Sequence, residues 1–494
     1  MFMVGTLTSG LYDRTSMRHL LCALVVSCVV LSGLVKAADA SPGHPNILFL
    51  FSDDQRADTI GALGNAHIHT PRLDRLVAQG TAFTRAYCMG AQQGAVCVPS
   101  RAMLMTGRTL FRVKENLAGQ TTWPEMFAKA GYTTFMTGKW HNGGESAERA
   151  FQRGKAIFLG GMGNPHTLPI QDISAAHKLT GKRPSGGHSV QVFADAAIEF
   201  LQERKGAAEP FLCYVAFNSP HDPRIAPPSF HDRTNADPPP VPPNFLPQHP
   251  FDNGEMTVRD EQLAPWPRTP EIVRQSLADY YACIEFVDEE VGRILDALAS
   301  AGHAEDTIVV FSSDHGLAIG SHGLFGKQNL YEHSMRAPLI FAGPGIRGGA
   351  NSDAFCHLLD IFPTLGELAR VQGPEGSEGR SLAPILAGRE THGRDAIFTA
   401  YRNIQRAVRD ERWKLIVYPQ INKTQIFDLE SDPIEMHDLA GEPRHAGEVA
   451  RLTRLLAEQQ ILTDDKQLLT SEQPKPLEFD FSKVPRKKAI ESQQ

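Results

Sequence analysis

Short apolar runs alternate with longer amphipathic segments along most of the chain. The runs at 47–51, 211–217, 308–311 and 339–342 are rich in β-branched and aromatic residues, as is typical of strands buried on both faces. Residues 273–298 instead carry an apolar side chain at every third or fourth position, which predicts a helix with one face in the core. This alternation predicts an α/β domain with a large, mostly parallel sheet between helices.

Capping residues mark the ends of three predicted helices. Each begins at a threonine and closes near a glycine, at 70–80, 122–131 and 269–302. In the first and third, proline follows the threonine directly, as it often does at the first helical position. These helices are therefore expected to pack on the faces of the sheet.

The pattern changes after residues 373–388. Short alternating segments predict an antiparallel sheet, followed by an amphipathic helix at 446–460. The predicted strands are 396–399, 404–409, 413–418 and 425–428. The large α/β domain is therefore predicted over 44–375 and a smaller α+β domain over 390–462.

Three other segments have a different composition. The first forty residues contain two arginines, an apolar run at 20–35 and a small-residue end, which predicts a signal peptide over 1–40. The run is shorter than the ~20 residues that span a membrane, so we expect export to the periplasm or exterior of a bacterium, with Met1 or Met17 as the start. The proline-rich stretch 220–250 predicts a long surface loop, and 465–494 a loosely attached tail.

Composition restricts the class of protein. With 41% hydrophobic and 21% charged residues the chain is globular, and its net charge of -7 disfavours binding nucleic acid over a broad surface. An anionic substrate would need a local cationic pocket. The predicted mature chain keeps five cysteines, an odd number without a CxxC pair, which argues against a disulfide scaffold or structural zinc.

Two of the predicted strands end in similar acidic sequences. NILFLFSDD ends at Asp53 and Asp54, and TIVVFSSDH ends at Asp314 and His315. If these strands are neighbours, three carboxylates meet at the carboxyl edge of the sheet, where a divalent cation would compensate their charge. Oxygen ligands favour calcium or magnesium over zinc. Either sequence alone is better explained as a helix cap or a turn, and only the two together, at matched strand ends, favour a metal site.

A cysteine precedes a predicted helix in CVPSRAMLMTGR, which begins at Cys97. Pro99 and Ser100 can open a helix, which would place Cys97 at its positive end, where an anion is stabilised. Arg101 could point to the same place and hold an oxyanion. On these residues alone, a thiol nucleophile and an ordinary buried cysteine are both open.

This segment resembles the signature of the type I sulfatases, in which the cysteine of CxPSR is oxidised to formylglycine. Further blocks of that family follow in order. They are FSDD at 51–54, GKWH at 138–141, NSPHDP at 218–223, SSDHG at 312–316 and GKQNLYE at 326–332. The resemblance covers roughly 44–440 and implies an alkaline-phosphatase-like fold and the hydrolysis of sulfate esters.

The resemblance also implies a ligand set and a modified residue. Formylglycine at Cys97 would complete the shell of one calcium ion. The other implied ligands are Asp53, Asp54, Asp314 and His315. Many relatives carry asparagine where this sequence has His315, although histidine is also frequent there.

Catalytic roles follow from the same resemblance. One hydroxyl of the hydrated aldehyde attacks sulfur, assisted by Arg101 and the metal, and the second expels the product. Lys139 and Lys327 would contact the sulfate oxygens. His141 would help to deprotonate the diol, and His221 would bind the substrate and protonate the leaving alkoxide.

Alternatives remain at this point. A phosphohydrolase or phosphodiesterase on the same scaffold usually has a Ser or Thr nucleophile and two zinc ions, and a sulfated-glycan binder would result if Cys97 stayed unmodified. The substrate is expected to be a carbohydrate or aryl sulfate, with carbohydrate preferred. It is expected to contact residues 142–183 and 223–266 and parts of the C-terminal domain. A formylglycine-generating maturation enzyme is the expected partner, without nucleic acid and without a stable membrane span.

Overall fold

Two β-sheets organise the residues described by the computed structural model, 44–481. In chain order the strands are β1 (Asn46–Asp53), β2 (Thr81–Tyr87), β3 (Gly90–Ala91), β4 (Thr133–Lys139), β5 (Arg153–Phe158), β6 (Pro169–Ile173), β7 (Leu179–Pro184), β8 (Phe211–Pro220), β9 (Thr307–Ser313), β10 (Arg336–Ala342), β11 (Ala350–Ser352), β12 (Cys356–His357), β13 (Ile397–Tyr401), β14 (Gln405–Arg409), β15 (Trp413–Tyr418) and β16 (Lys423–Asp428). The helices are α1 (Pro71–Gln79), α2 (Cys97–Thr106), α3 (Trp123–Lys129), α4 (Gly144–Ala150), α5 (Ser189–Glu203), α6 (Pro228–Ala236), α7 (Pro270–Ser300), α8 (Glu332–Met335), α9 (Ile361–Ala369), α10 (Ala383–Leu386) and α11 (Ala446–Thr463).

The larger sheet has eleven strands within the described residues, in the order β11-β2-β10-β9-β1-β8-β4-β5-β6-β7, with β12 also paired to β2. Its centre, from β9 through β1, β8 and β4 to β5, is parallel. β10 and the β6–β7 edge run antiparallel to their neighbours. The predicted class, a mixed and mostly parallel sheet with helices, is confirmed.

Alternating residues of β1 pack into two different cores, as the two-residue period of a strand requires. Phe49 belongs to a core that contains Phe127 of α3 and Phe362 of α9. Leu50 belongs to a second core, which includes Phe193 of α5. The central sheet is therefore covered by helices on both faces, which explains the continuous apolar runs of its strands.

The smaller sheet has the order β16-β15-β14-β13-β3. Its first four strands are antiparallel, as the sequence predicts. The fifth, β3, comes from far earlier in the chain and pairs in parallel with β13. The approach is so close that a Cβ at Gly90 would lie 1.9 Å from the Ala400 carbonyl oxygen. Two residues are too short a strand for periodicity to reveal, so this pairing was not predicted.

One expectation needs correction. The stretch 220–250, predicted as a loop, contains helix α6, which Pro228 opens at its first position. Residues 465–481, the described part of the predicted loosely attached tail, contact the rest of the fold at a few points. Arg406 Nε lies 2.6 Å from a carboxylate oxygen of Asp465, and both side chains are buried. Beyond Asp465 a few backbone hydrogen bonds and the partly buried side chains of Leu469, Phe479 and Phe481 join the segment to the fold.

Both sheets belong to one compact unit that begins at His44. The predicted boundary between 375 and 390 falls between α9 and β13. The predicted signal peptide, 1–40, and residues 482–494 of the predicted tail lie outside the described residues. Between residues 44 and 481 no helix is long and apolar enough to cross a membrane.

Candidate active site and metal centre

The candidate residues meet at the carboxyl edge of four adjacent parallel strands, in the order β9-β1-β8-β4. Ser52 pairs with Ser313, so that the aspartates directly after these positions lie side by side. The backbone N–H of Asp54 donates a 2.9 Å hydrogen bond to Asp314 Oδ1. Asp54 has a left-handed φ of 65°, which breaks the strand alternation and leaves Asp53 and Asp54 at the same edge.

The acidic strand ends form a compact set of possible metal ligands. Carboxylate oxygens of Asp53, Asp54 and Asp314 lie within 4.8 Å of one another, and Cys97, Asp314 and His315 form a second, overlapping group. All five residues are buried. His315 Nε2 is buried without a hydrogen-bond partner and lies 3.4 Å from Asp54 Oδ1. This oxygen-rich donor set, with an unpartnered imidazole nitrogen, fits a hard divalent cation.

Three buried cations face the three carboxylates. Arg101 lies between two of them, with Nη2 3.2 Å from Asp53 Oδ1 and Nε 3.1 Å from Asp314 Oδ2. Lys139 Nζ lies 2.5 Å from the other oxygen of Asp53. Lys327 Nζ donates to both oxygens of Asp54 at 2.8 Å. The three cations balance the three carboxylates in charge, so a divalent cation bound beside a neutral His315 would leave the site positive and suited to an anion.

The electrostatic environment keeps these carboxylates ionised. Burial alone would raise the pKa of Asp54, but His221 and Lys327 hold it below its usual range. Burial likewise opposes ionisation of Asp314, whose pKa is lowered by the neighbouring His315. Burial would lower the pKa of His315, but the two aspartates raise it to about 9.

Cys97 begins helix α2 at this edge. Its Sγ lies 3.3 Å from His141 Nδ1 and 3.8 Å from Lys139 Nζ. Burial raises the pKa of the thiol, but Lys139 and Lys327 more than offset this and lower it. Ser100 Oγ donates to the Asp314 carbonyl oxygen at 2.8 Å, so the start of α2 is tied to the end of β9.

His141 follows β4 and has a left-handed φ of 70°. Burial and Lys139 lower its pKa to about 3, so the imidazole is neutral at neutral pH. Asn142 Nδ2 donates to the carbonyl oxygens of Val98 and Glu115 at 2.9 and 2.7 Å. Asn142 therefore joins this turn to the start of α2, a role that the sequence did not predict.

The glycine-rich loop between β5 and β6 contacts His141. A Cβ at Gly161 would lie 2.7 Å from the imidazole of His141, so only glycine fits there without displacing the ring. Met162, next in the chain, is 45% exposed. This loop therefore forms part of the wall of the site.

His221 lies just beyond β8. Its Nδ1 is 2.8 Å from the carbonyl oxygen of Asp222, to which it can donate. Its Nε2 is 3.8 Å from Asp54 Oδ2 and thus faces the acidic cluster. The structure therefore brings every predicted site residue to one pocket edge, although their catalytic roles stay predictions.

Tyr280 of α7 supports the site in a way that the sequence did not predict. Its hydroxyl donates to the Asp54 carbonyl oxygen at 2.7 Å and accepts from the Arg56 N–H at 2.8 Å. In the sequence Tyr280 is one of the apolar-face positions of a long amphipathic helix, and no local pattern distinguishes it from its core neighbours. Its contacts hold the left-handed turn at Asp54 in place.

Two family models match the chain, and individual proteins resemble it over most of its length. Residues 45–371 match the family described as Sulfatase, and residues 320–461 match the family described as N-sulphoglucosamine sulphohydrolase, C-terminal. A choline-sulfatase of Rhizobium meliloti is 30% identical over 83% of this chain and 85% of its own length. An N-acetylglucosamine-6-O-sulfatase of Bacteroides thetaiotaomicron is 27% identical over 84% of this chain and 86% of its own.

Solved structures share the fold. One, in complex with its substrate D-glucosamine-2-N,6-O-disulfate, has a TM-score of 0.72 and 26% identity and covers 86% of this chain and 99% of its own. A phosphonate monoester hydrolase of Agrobacterium radiobacter has a TM-score of 0.67 and 22% identity, covering 86% of this chain and 97% of its own. The second likeness concerns the fold alone.

Proposed function

Because the chain belongs to the sulfatase family and is a sulfuric ester hydrolase, we propose that residue 97 is its nucleophile after oxidation of the cysteine to formylglycine. The observation that carries the proposal is the position of Cys97. Its Sγ lies at the start of α2, 3.8 Å from Lys139 Nζ and in one group with the candidate metal ligands Asp314 and His315. A hydrated aldehyde there would supply one hydroxyl to attack sulfur and a second whose deprotonation releases sulfate.

We propose calcium as the metal, held by the side chains that the resemblance implies: Asp53, Asp54, Asp314, His315 and residue 97. When bound, the ion would supply Lewis-acid stabilisation of negative charge on the sulfate group and the attacking oxygen. Lys139 and Lys327 would bind the sulfate oxygens, because each ammonium group faces the acidic cluster from a different side. Arg101, fixed between Asp53 and Asp314, would hold these carboxylates in position.

Two histidines would move the protons. His221 would donate from Nε2 to the ester oxygen as the S–O bond breaks and leaves its electron pair on that oxygen. His141, whose Nδ1 lies 3.3 Å from Cys97 Sγ, would accept a proton when sulfate is released. The attacking hydroxyl releases its proton, which replaces the one that His221 gives to the alcohol. Release of sulfate leaves the aldehyde, which water hydrates again, so that one ester and one water give one alcohol and one hydrogen sulfate.

We propose a sulfated carbohydrate as substrate and an exported location for the enzyme. Support for the substrate comes from the N-acetylglucosamine-6-O-sulfatase relative and from the similar structure bound to D-glucosamine-2-N,6-O-disulfate. The predicted signal peptide supports export. A maturation enzyme, which supplies the oxidant for residue 97, is the required partner.

The test is mass spectrometry of active protein from a host with the maturation enzyme, combined with turnover of 4-nitrophenyl sulfate. We expect an aldehyde at position 97 and loss of turnover in Cys97→Ala. Cys213→Ala is the matched control, because Cys213 is equally buried but lies in the core of β8. An intact thiol at position 97 in active protein, or undiminished turnover of Cys97→Ala, would overturn the proposal.

The same assay separates the alternatives. A phosphate or phosphonate monoester hydrolysed with higher kcat/KM than the matching sulfate would favour a phosphohydrolase. Tight binding of sulfated oligosaccharides without sulfate release would favour a glycan-binding protein. A panel of defined sulfated sugars, with choline sulfate and aryl sulfates included, would identify the substrate.

A further inference from the structure

Arg259 bridges two acidic side chains beside the candidate site. Its Nη1 donates to Asp222 Oδ1 and to Asp260 Oδ1, both at 2.8 Å. Its Nη2 contacts the second oxygen of Asp222, so the guanidinium binds that carboxylate through two nitrogens. Such a bidentate pair fixes the orientation of a carboxylate as well as its position.

Asp222 is in direct contact with His221. The Nδ1 of His221 lies 3.4 Å from Asp222 Oδ1 and 2.8 Å from the Asp222 carbonyl oxygen. Both acceptors favour a proton on Nδ1, which leaves Nε2 facing the acidic cluster.

A second series of hydrogen bonds connects Arg259, through Asp260 and Gln328, to the backbone of Lys327. Asp260 Oδ2 accepts from Gln328 Nε2 at 2.8 Å, and Gln328 Oε1 accepts from the backbone N–H of Lys327 at 3.0 Å. One continuous set of contacts therefore joins His221 to the segment that carries Lys327. Its members come from three separated segments, around residues 222, 260 and 328.

The burial of this set argues against an ordinary surface ion pair. The side chain of Arg259 is 42% exposed, but that of Asp222 is only 12% exposed and that of His221 7%. An exposed pair contributes little to stability. Here the exposed guanidinium caps a mostly buried carboxylate, whose other neighbour is a candidate proton donor.

We propose that Asp222 and Arg259 are a positioning pair for His221, holding its imidazole in the orientation that protonates the leaving oxygen. The inference rests on the proposed function. Asp222 sets the donor orientation of His221, and Arg259 holds Asp222 in that position. Arg259 belongs to the connection between β8 and α7, so the pair also links His221 to a segment predicted to contact substrate.

The test is a series of 4-substituted phenyl sulfates, from nitro to methyl, with similar shapes and increasingly basic leaving groups. A proton donor matters most for the basic leaving groups. In Arg259→Ala and Asp222→Asn we expect kcat/KM to fall about 10-fold more for the methyl than for the nitro compound, relative to wild type. Arg259→Lys should bring the ratio only part of the way back to the wild-type value, because one ammonium cannot reproduce the bidentate contact. Because both kcat/KM values come from the same preparation, their ratio does not depend on the fraction of protein that is folded.

Arg293→Ala is the matched control. Arg293 is 40% exposed and also contacts two acidic side chains, the buried Glu290 and the exposed Asp195, but these lie on α7 and α5 and are not site residues. In Arg293→Ala, kcat/KM for the methyl compound relative to that for the nitro compound should be the same as in wild type.

A wild-type ratio in both Arg259→Ala and Asp222→Asn, with wild-type enzyme active, would overturn the inference and leave the proposed function intact. A wild-type enzyme without turnover of any compound in the series would instead overturn the proposed function.

Discussion

Replacing Arg101 by alanine removes the buried cation between Asp53 and Asp314. The Arg101 side chain is 1% exposed, contacts both carboxylates and donates from Nη1 to the Lys139 carbonyl oxygen at 3.0 Å. Removing one partner of a buried ion pair costs about 3–5 kcal/mol. The lost hydrogen bond to the carbonyl adds about 1 kcal/mol. We therefore expect the free energy of unfolding to fall by roughly 4–6 kcal/mol without added metal.

The assay is urea unfolding followed by circular dichroism, in EDTA and then in calcium. Calcium should recover more stability in Arg101→Ala than in wild type, because Asp53 and Asp314, which have lost one of their positive neighbours, would gain a cation. Turnover of 4-nitrophenyl sulfate should be lost in this variant. Arg101→Lys should be less destabilised, since the charge remains, although one ammonium cannot match the two-sided contacts of the guanidinium.

Arg406→Ala is the matched control for the stability measurement. Arg406 and Asp465 form a buried bidentate pair in the smaller sheet, and each side chain is 2% exposed. We expect a comparable loss of stability with unchanged kcat/KM in the folded protein. A loss below about 1 kcal/mol in Arg101→Ala, the value of an exposed pair, would refute the view that Arg101 compensates two buried charges.

Three further predictions concern the divalent metal, the glycine-rich loop beside His141 and the buried His322. Removing divalent metal with EDTA should abolish aryl sulfate turnover, and calcium should restore it better than zinc; full activity after EDTA would contradict the metal site. Gly161→Ala should lower kcat about 10-fold by displacing the His141 ring, since misplacement of a catalytic group by about 1 Å can cost up to 10²-fold in rate. Gly447→Ala should leave kcat unchanged, because a Cβ added there would meet no atom within 4 Å. Burial lowers the pKa of His322 to about 4, so between about pH 6.5 and 4 the unfolded chain binds a proton there that the folded chain does not. The free energy of unfolding should therefore decrease as the pH falls through this range. Urea titrations of His322→Gln should show a weaker dependence on pH.

Much of the site could be predicted because its residues directly follow buried strands. The apolar runs that end at Asp53 and Ser313 locate two strands, and a parallel sheet places their carboxyl ends at one edge. Adjacency of these two strands could not be derived from either run. The family resemblance supplied that information, and the observed pairing of β1 with β9 agrees with it.

The supporting residues could not be predicted, for identifiable reasons. Tyr280 occupies a position of the apolar stripe of α7, and only the folded structure shows its hydroxyl at the Asp54 carbonyl. Arg259 lies in a polar, proline-containing connection without periodicity, 37 positions from Asp222. Contacts of this kind depend on the path of a loop, which hydrophobic patterns do not determine.

The charge of the site explains how a chain with a net charge of -7 can bind an anion. The acidic side chains come from the ends of β1 and β9, whereas their cationic partners come from three other segments, at Arg101, Lys139 and Lys327. Because the two sets balance, a divalent cation would make the pocket positive while the surface stays negative on average. Attraction of a sulfate ester would then act only over short distances, inside the pocket, since surface charges are screened beyond about 10 Å. We accordingly expect selection among sulfate esters to depend on the loops near the site, such as those that carry Met162 and Arg259.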